Sequence, residues 1–211
     1  MCLVVWFARY VDRVMGARQA VQEFATQRTR TAENGGRQLP VGVGLPDVAL
    51  WSPQRIAAWR TASARPRSTT LAVLRIPRIH LEVPVLEGTD ETTLDRAVGH
   101  IEDTAVPGGA GNSGIAGHRD GFFRVLKDVS EGDVIELETL RGSEKYRIQR
   151  TWIVTPDDVS VLDPTPTPSL TLVTCYPFYF VGSAPERFIV RAVPVDDSES
   201  SAPVKAGVSG F

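Results

Sequence analysis

The sequence predicts an all-β fold, a barrel or a sandwich, built from about eight short strands with a few short helices. Three observations predict it. From Leu71 onward, short β-branched and apolar runs alternate with turn signals. Gly and Pro are abundant, 18 and 15 in 211 residues, as a fold with many turns requires. No long helices alternate with the strands, which disfavours a parallel α/β sheet.

Taken in order, residues 6–30 read as a helix: Phe7, Val11, Val14, Val21 and Phe24 recur at helical spacing among Arg9, Arg13, Arg18 and Arg28. It is either a surface stalk or a membrane-proximal helix, ended by Asn34-Gly35-Gly36. The apolar stretch from Cys2 to Ala8 falls short of the roughly 20 residues a membrane span needs, and Arg9 and Asp12 interrupt it. It also lacks the charged leader and cleavage site of a secretory signal, and reads as the tail end of an anchor lying upstream. After a Pro/Gly linker, Ser52-Pro53 has the form of an N-cap followed by Pro at the first helical position, opening a short helix to about residue 61. A second linker covers residues 65–68.

Strands are expected at 71–76 and 81–86, joined around Pro77, and at 112–117, 134–140, 145–154, 170–175 and 187–193. The pair 134–140 and 145–154 forms a hairpin around Arg141-Gly142-Ser143. Short helices are expected at 92–98 and 122–127, and a helical turn at 157–162 inside the Pro-rich loop 155–168. This divides the chain into an N-terminal helical segment and linker (1–68), a barrel (69–195) and a Ser/Ala/Gly-rich disordered tail (196–211).

Composition excludes several functions. With 23 basic against 25 acidic residues, and no clustering of basic and aromatic side chains, nothing points to nucleic acid. Gly108-Gly109-Ala110-Gly111 is not followed by the Lys-Ser/Thr and helix of a phosphate-binding loop. His80, His100 and His118 are scattered and form no close zinc-ligand pair, so no metal or cofactor is expected. Asp157, Asp158 and Asp163 are too sparse to indicate calcium. Of the two cysteines, Cys2 lies in the terminal tail, so no disulfide scaffold is expected.

Cys175 closes the strand-forming run Thr171-Leu172-Val173-Thr174-Cys175. A lone core thiol is either a small buried hydrophobe or, as thiolate, a nucleophile. His118 follows the glycine-rich segment Gly111–Gly117, where backbone and substrate can approach closely. Arg187 and Arg191 share one face of the last strand. Periodicity does not choose between them, but Arg187 opens the strand, near the loop that leaves Cys175. A proton carrier, a thiol and a permanent cation together suit cysteine acyl transfer.

These three segments carry a family resemblance. Thr171-Leu172-Val173-Thr174-Cys175 is similar to the T-L-x-T-C signature of sortases, the cysteine transpeptidases, and looks closest to class D. Gly117-His118-Arg119-Asp120-Gly121 resembles their histidine segment, and Arg187-Phe188-Ile189-Val190 their arginine strand. The order agrees, with Cys175 57 residues after His118 and Arg187 12 after Cys175. The resemblance implies a closed eight-stranded barrel, with Cys175 as nucleophile, His118 as general acid/base and Arg187 as stabiliser of substrate and oxyanion. It implies attack on the Thr–Gly bond of an LPXTG-like sorting signal and transfer of the acyl group to an amine. Partners would be substrate proteins bearing a C-terminal sorting signal, and an amine from a cell-wall precursor or a protein lysine. The implied location is the extracytoplasmic face of the cell membrane. Thr174, Tyr176, Ser113 and Val161 are the expected substrate contacts. Thr174 would bond the substrate or Arg187; the loops 155–168 and 176–186 would wall the groove. Tyr176, Phe178, Tyr179 and Phe180 either meet an apolar signal residue or cover the barrel. Asp120 is expected to cap a turn rather than orient His118. The rival readings are a non-catalytic peptide-binding barrel and a different cysteine acyl-transferase such as an L,D-transpeptidase.

Overall fold

A computed structural model describes residues 46–64, 70–179 and 182–195. The expected helix at 6–30, the linker at 65–68, Phe180 and the tail at 196–211 lie outside the described residues.

Of the two β architectures, the chain adopts the closed barrel. Its strands are β1 (Thr70–Ile76), β2 (Leu81–Glu87), β3 (Val98–His100), β4 (Asn112–Gly117), β5 (Val134–Thr139), β6 (Ser143–Val154), β7 (Ser169–Tyr176) and β8 (Glu186–Pro194). They close in the order β1-β2-β3-β4-β7-β8-β6-β5, with β5 returning to β1. Pairing is antiparallel except for β2 with β3 and β4 with β7. Closure removes the exposed edges an open sheet would leave.

The sequence reading missed β3. Its three residues, Val-Gly-His, are too few to display a period-two pattern. The helix expected at 92–98 instead runs over Glu91–Arg96 (α2 below): Asp90 caps it, and Ala97 turns extended at φ −156° so that Val98 can pair with Val85. The turn expected at 157–162 is the 3-10 segment Val159–Leu162, and the one at 122–127 is the 3-10 segment Phe122–Asp128.

The helix opened by Ser52-Pro53 is α1 (Pro53–Ser63). Ser52 Oγ accepts from Arg55 N at 3.1 Å, satisfying one of the free amides of the first turn. Trp51 and Trp59 sink into the same buried cluster as Leu74, Val83, Leu137 and Leu172. Trp51 meets Trp59 edge-on at 6.2 Å and Phe122 at 4.8 Å. Thus α1 is fastened to the barrel through the Phe122–Asp128 turn. Gly117, the last residue of β4, admits this turn: a Cβ there would lie 2.7 Å from the Phe123 ring.

Candidate active site

Strand register assembles the site. β4 and β7 run parallel with Gly117 opposite Thr174. The following residues, His118 and Cys175, therefore leave the pair side by side on strands ~4.8 Å apart. β8 runs antiparallel beside β7 and sets Arg187 directly opposite Cys175. Leu170 and Leu172 point into the core, so Cys175, an odd number of residues along, faces outward and is half-buried as a free thiol. Histidine, thiol and guanidinium thus form a row across three strands at one end of the barrel. Arg191, the other candidate, pairs with Thr171, four residues and ~13 Å back along the strand. Its Nη2 donates to Val161 O at 2.7 Å.

His118 is largely enclosed. Its Nε2 is buried and has no hydrogen-bond partner among the described residues. Two carboxylates stand just beyond bonding distance, Asp95 Oδ1 at 3.6 Å and Glu91 Oε1 at 3.7 Å. Both come from α2. Arg55 of α1 bonds Asp95 Oδ1 through Nη1 and donates from Nε to Asp120 Oδ1 at 3.0 Å. Burial first, then the Arg55 guanidinium, push His118 below the ordinary histidine value of 6.5, while Asp120 and Asp95 pull it up. Burial also lifts Asp95 above the usual carboxylate range in spite of Arg55. Asp120, expected as a turn cap, is instead an ion-pair partner of Arg55. Glu91, Asp95 and His118 bring three ligand-type atoms within 4.8 Å of one another. With Arg55 already on Asp95, this is an ion-pair cluster rather than a cation site.

Arg187 directs Nη1 to the carbonyls of Ala184 at 3.3 Å and Glu186 at 3.0 Å, leaving Nε and Nη2 without partners among the described residues. Thr174 is buried, and its hydroxyl donates to Gly117 O at 2.7 Å, tying the two strand ends that carry His118 and Cys175. That hydroxyl is directed at the backbone rather than at Arg187. Tyr176 stacks on Phe188 at 6.4 Å and meets Phe178 edge-on at 5.8 Å, covering the open end of the barrel. Tyr179 is 70% exposed, under the Arg124 guanidinium at 4.3 Å.

Ser113 and Val161 are not brought to the sulfur. Ser113 pairs with core residue Leu170, and its buried hydroxyl has no partner among the described residues. Val161 is buried under the β6–β7 connection, and its carbonyl accepts from Asn112 and Arg191. That connection lies on the outer face of β4, where a Cβ on Gly114 would meet Leu162 Cδ2 at 3.0 Å. The β7–β8 loop is held by Arg119, which donates to Pro177 O and Gly182 O, and by Arg124, which donates to Phe178 O.

Sequence reasoning missed Arg55, Asp95 and Asn112. The Ser52-Pro53 cap placed Arg55 in the first turn of a helix, but no periodicity could say that this turn packs beside His118. Asn112 lay within a segment read for its glycines.

A closed barrel with this row of residues defines a class, and comparison with known proteins agrees with it. Residues 74–195 match the sortase domain model. The chain belongs to the sortase family, and its family is associated with the cell envelope. It is 40% identical over 119 residues to sortase D of Bacillus subtilis (strain 168), spanning 56% of this chain and 60% of that relative. Its fold is similar to that of a sortase D5 transpeptidase of Clostridium perfringens, with a TM-score of 0.62 and 24% identity over 86% of this chain and 99% of that one. It also resembles sortase E1 of Streptomyces coelicolor, solved with a tripeptide in its active site, at a TM-score of 0.55 and 32% identity over 64% of this chain and 94% of that one. No helix among the described residues is long and apolar enough to cross a membrane.

Proposed function

We propose that the protein is a cysteine transpeptidase of class D type that cleaves an LPXTG-like sorting signal and transfers the acyl group to an amine. The observation that carries this reading is the row His118, Cys175, Arg187, produced by the registers Gly117 with Thr174 and Cys175 with Arg187. Cys175 passes its thiol proton to His118 and, as thiolate, attacks the Thr carbonyl of the scissile bond. Arg187, with a backbone N–H beside Cys175, holds the tetrahedral oxyanion; its free Nε and Nη2 are the available donors. His118 protonates the departing amine as the C–N bond breaks, leaving a thioester on Cys175. An acceptor amine then attacks the thioester, His118 takes its proton, and the thiolate departs. A lowered histidine pKa suits both halves: the imidazolium is a stronger acid, and the neutral ring predominates near pH 7 as a base. Water in place of the amine gives slow hydrolysis.

The donor is a protein with a C-terminal sorting signal. The acceptor is an amine of a cell-wall precursor or a protein lysine, and the site of action is the extracytoplasmic face of the membrane. Thr174 serves as the tie between the two catalytic strand ends, and Tyr176 as part of the wall beside the thiol.

The test is aminolysis by a small nucleophile. The full chain is incubated with a library of LPXTG-like peptides and hydroxylamine, and hydroxamates are read by mass spectrometry. Hydroxamate at the Thr carbonyl, absent with Cys175→Ala, is expected. Equal product from the alanine variant would overturn the reading.

A further inference from the structure

Arg55 lies before the stretch matched by the family model, on a helix that is not part of the barrel. Its guanidinium nevertheless joins two carboxylates whose charges act on His118. We propose that Arg55 is a positioning residue for the acid/base histidine: by clamping Asp95 and Asp120, it keeps both carboxylates off the imidazole and leaves the ring free to serve Cys175. The proposal rests on the reading of His118 as general acid/base.

Four observations support it. The Asp95 atom that faces His118 Nε2, Oδ1, is the same atom that Arg55 Nη1 bonds. It stops 3.6 Å from the ring, beyond the range of an N–H···O bond. The buried Nε2 is accordingly untethered among the described residues. Arg55 itself is fixed, because α1 is capped by Ser52 and anchored by Trp51 and Trp59.

The charges around the ring explain why a clamp is needed. Glu91 and Asp95 face it from α2, and Asp120 follows it in its own loop. The cations are Arg55 on α1, Arg119 beside it, directed at Pro177 O and Gly182 O, and Arg187 across Cys175 on β8. Without Arg55, three carboxylates act on the imidazole with one cation fewer to oppose them. Asp95 Oδ1 then becomes a free acceptor for Nε2–H. Both effects stabilise the imidazolium and draw the ring toward α2, away from the thiol.

The experiment uses the full chain as wild type, Arg55→Gln, Arg55→Lys and the double variant Arg55→Gln/Asp95→Asn. The His118 ring is titrated by NMR, with His118→Asn assigning it among the three histidines. Alongside, kcat, KM and their pH profiles are measured for acyl transfer, with thermal melts as a folding control. Expected for a folded Arg55→Gln protein is an upward shift of the His118 midpoint and a kcat lower by about tenfold at little-changed KM. Arg55→Lys recovers part of both, and the added Asp95→Asn brings the midpoint back down. An unmoved or lowered midpoint in folded Arg55→Gln protein overturns the clamp. The midpoint also separates the two readings. If it shifts in a protein that transfers no acyl group, the clamp stands and the function falls; if it stays put in an active enzyme, the clamp alone falls.

Discussion

At His118, burial and a neighbouring cation act in the same direction, and the consequence reaches beyond catalysis. Its folded pKa lies below the ordinary 6.5, so between these two values the unfolded chain binds the proton more readily than the folded one. The stability contributed by keeping this ring neutral is fully present above 6.5 and is lost as pH falls through the folded value. His118→Asn should therefore flatten the acid side of the stability curve. Thermal melts of both proteins across that window check it: toward acid, the melting temperature of the wild type should fall relative to that of the variant. A constant separation would contradict the assignment. For Arg187, register adds what periodicity lacked, a position relative to Cys175. Arg187 and Arg191 share a face, but only Arg187 stands opposite Cys175, while Arg191 braces the carbonyl of Val161.

Among the elements, the β6–β7 connection is held by two side chains, Arg191 at Val161 O and Asn112 at two carbonyls. Asn112 donates through Nδ2 to Val161 O and Asp163 O, both at 3.1 Å. Its Oδ1 accepts from Thr171 Oγ1 at 2.6 Å and Ser169 Oγ at 3.2 Å. Asn112 is buried, so removing its amide orphans groups that water reaches poorly. Asn112→Ala should lower stability by about 1–3 kcal/mol. It should also raise KM more than it lowers kcat, since the connection packs on the outer face of β4 and contributes no member of the row His118, Cys175, Arg187. Denaturant titration and steady-state kinetics check both; a loss confined to kcat would assign Asn112 to the chemistry instead. α1 shows why local patterns under-describe an element. The Ser-Pro cap revealed that the helix exists, yet its attachment depends on Trp51 and Trp59 finding Phe122 and the barrel core, contacts between residues distant in sequence.

For the whole molecule, the long strands were legible because alternation and turn residues mark them: β1, β2, β4 and β7 fall within a residue or two of expectation. Barrel closure was not legible from periodicity, since β3 is three residues long and the parallel β4–β7 pairing joins segments more than fifty residues apart. The site divides the same way. His118, Cys175 and Arg187 stood out because each chemistry-bearing side chain ends or opens a strand-like run. Ser113 and Val161 were expected at the substrate from their segments alone; the first pairs with a core residue of the barrel and the second is buried beneath its own loop. Arg55 and Asp95 could be found only once α1 and α2 were seen together around the histidine.

The central claim is that Cys175 carries the acyl group between donor and acceptor. The most direct measurement incubates the full chain with an LPXTG-like peptide without added amine, quenches it in acid, digests it, and reads the Cys175 fragment by mass spectrometry. The account predicts a thioester on Cys175 holding the peptide through its Thr, formed with release of the remainder and cleared when amine is added. A peptide that binds wild type and Cys175→Ala alike, with Cys175 unmodified throughout, would contradict it.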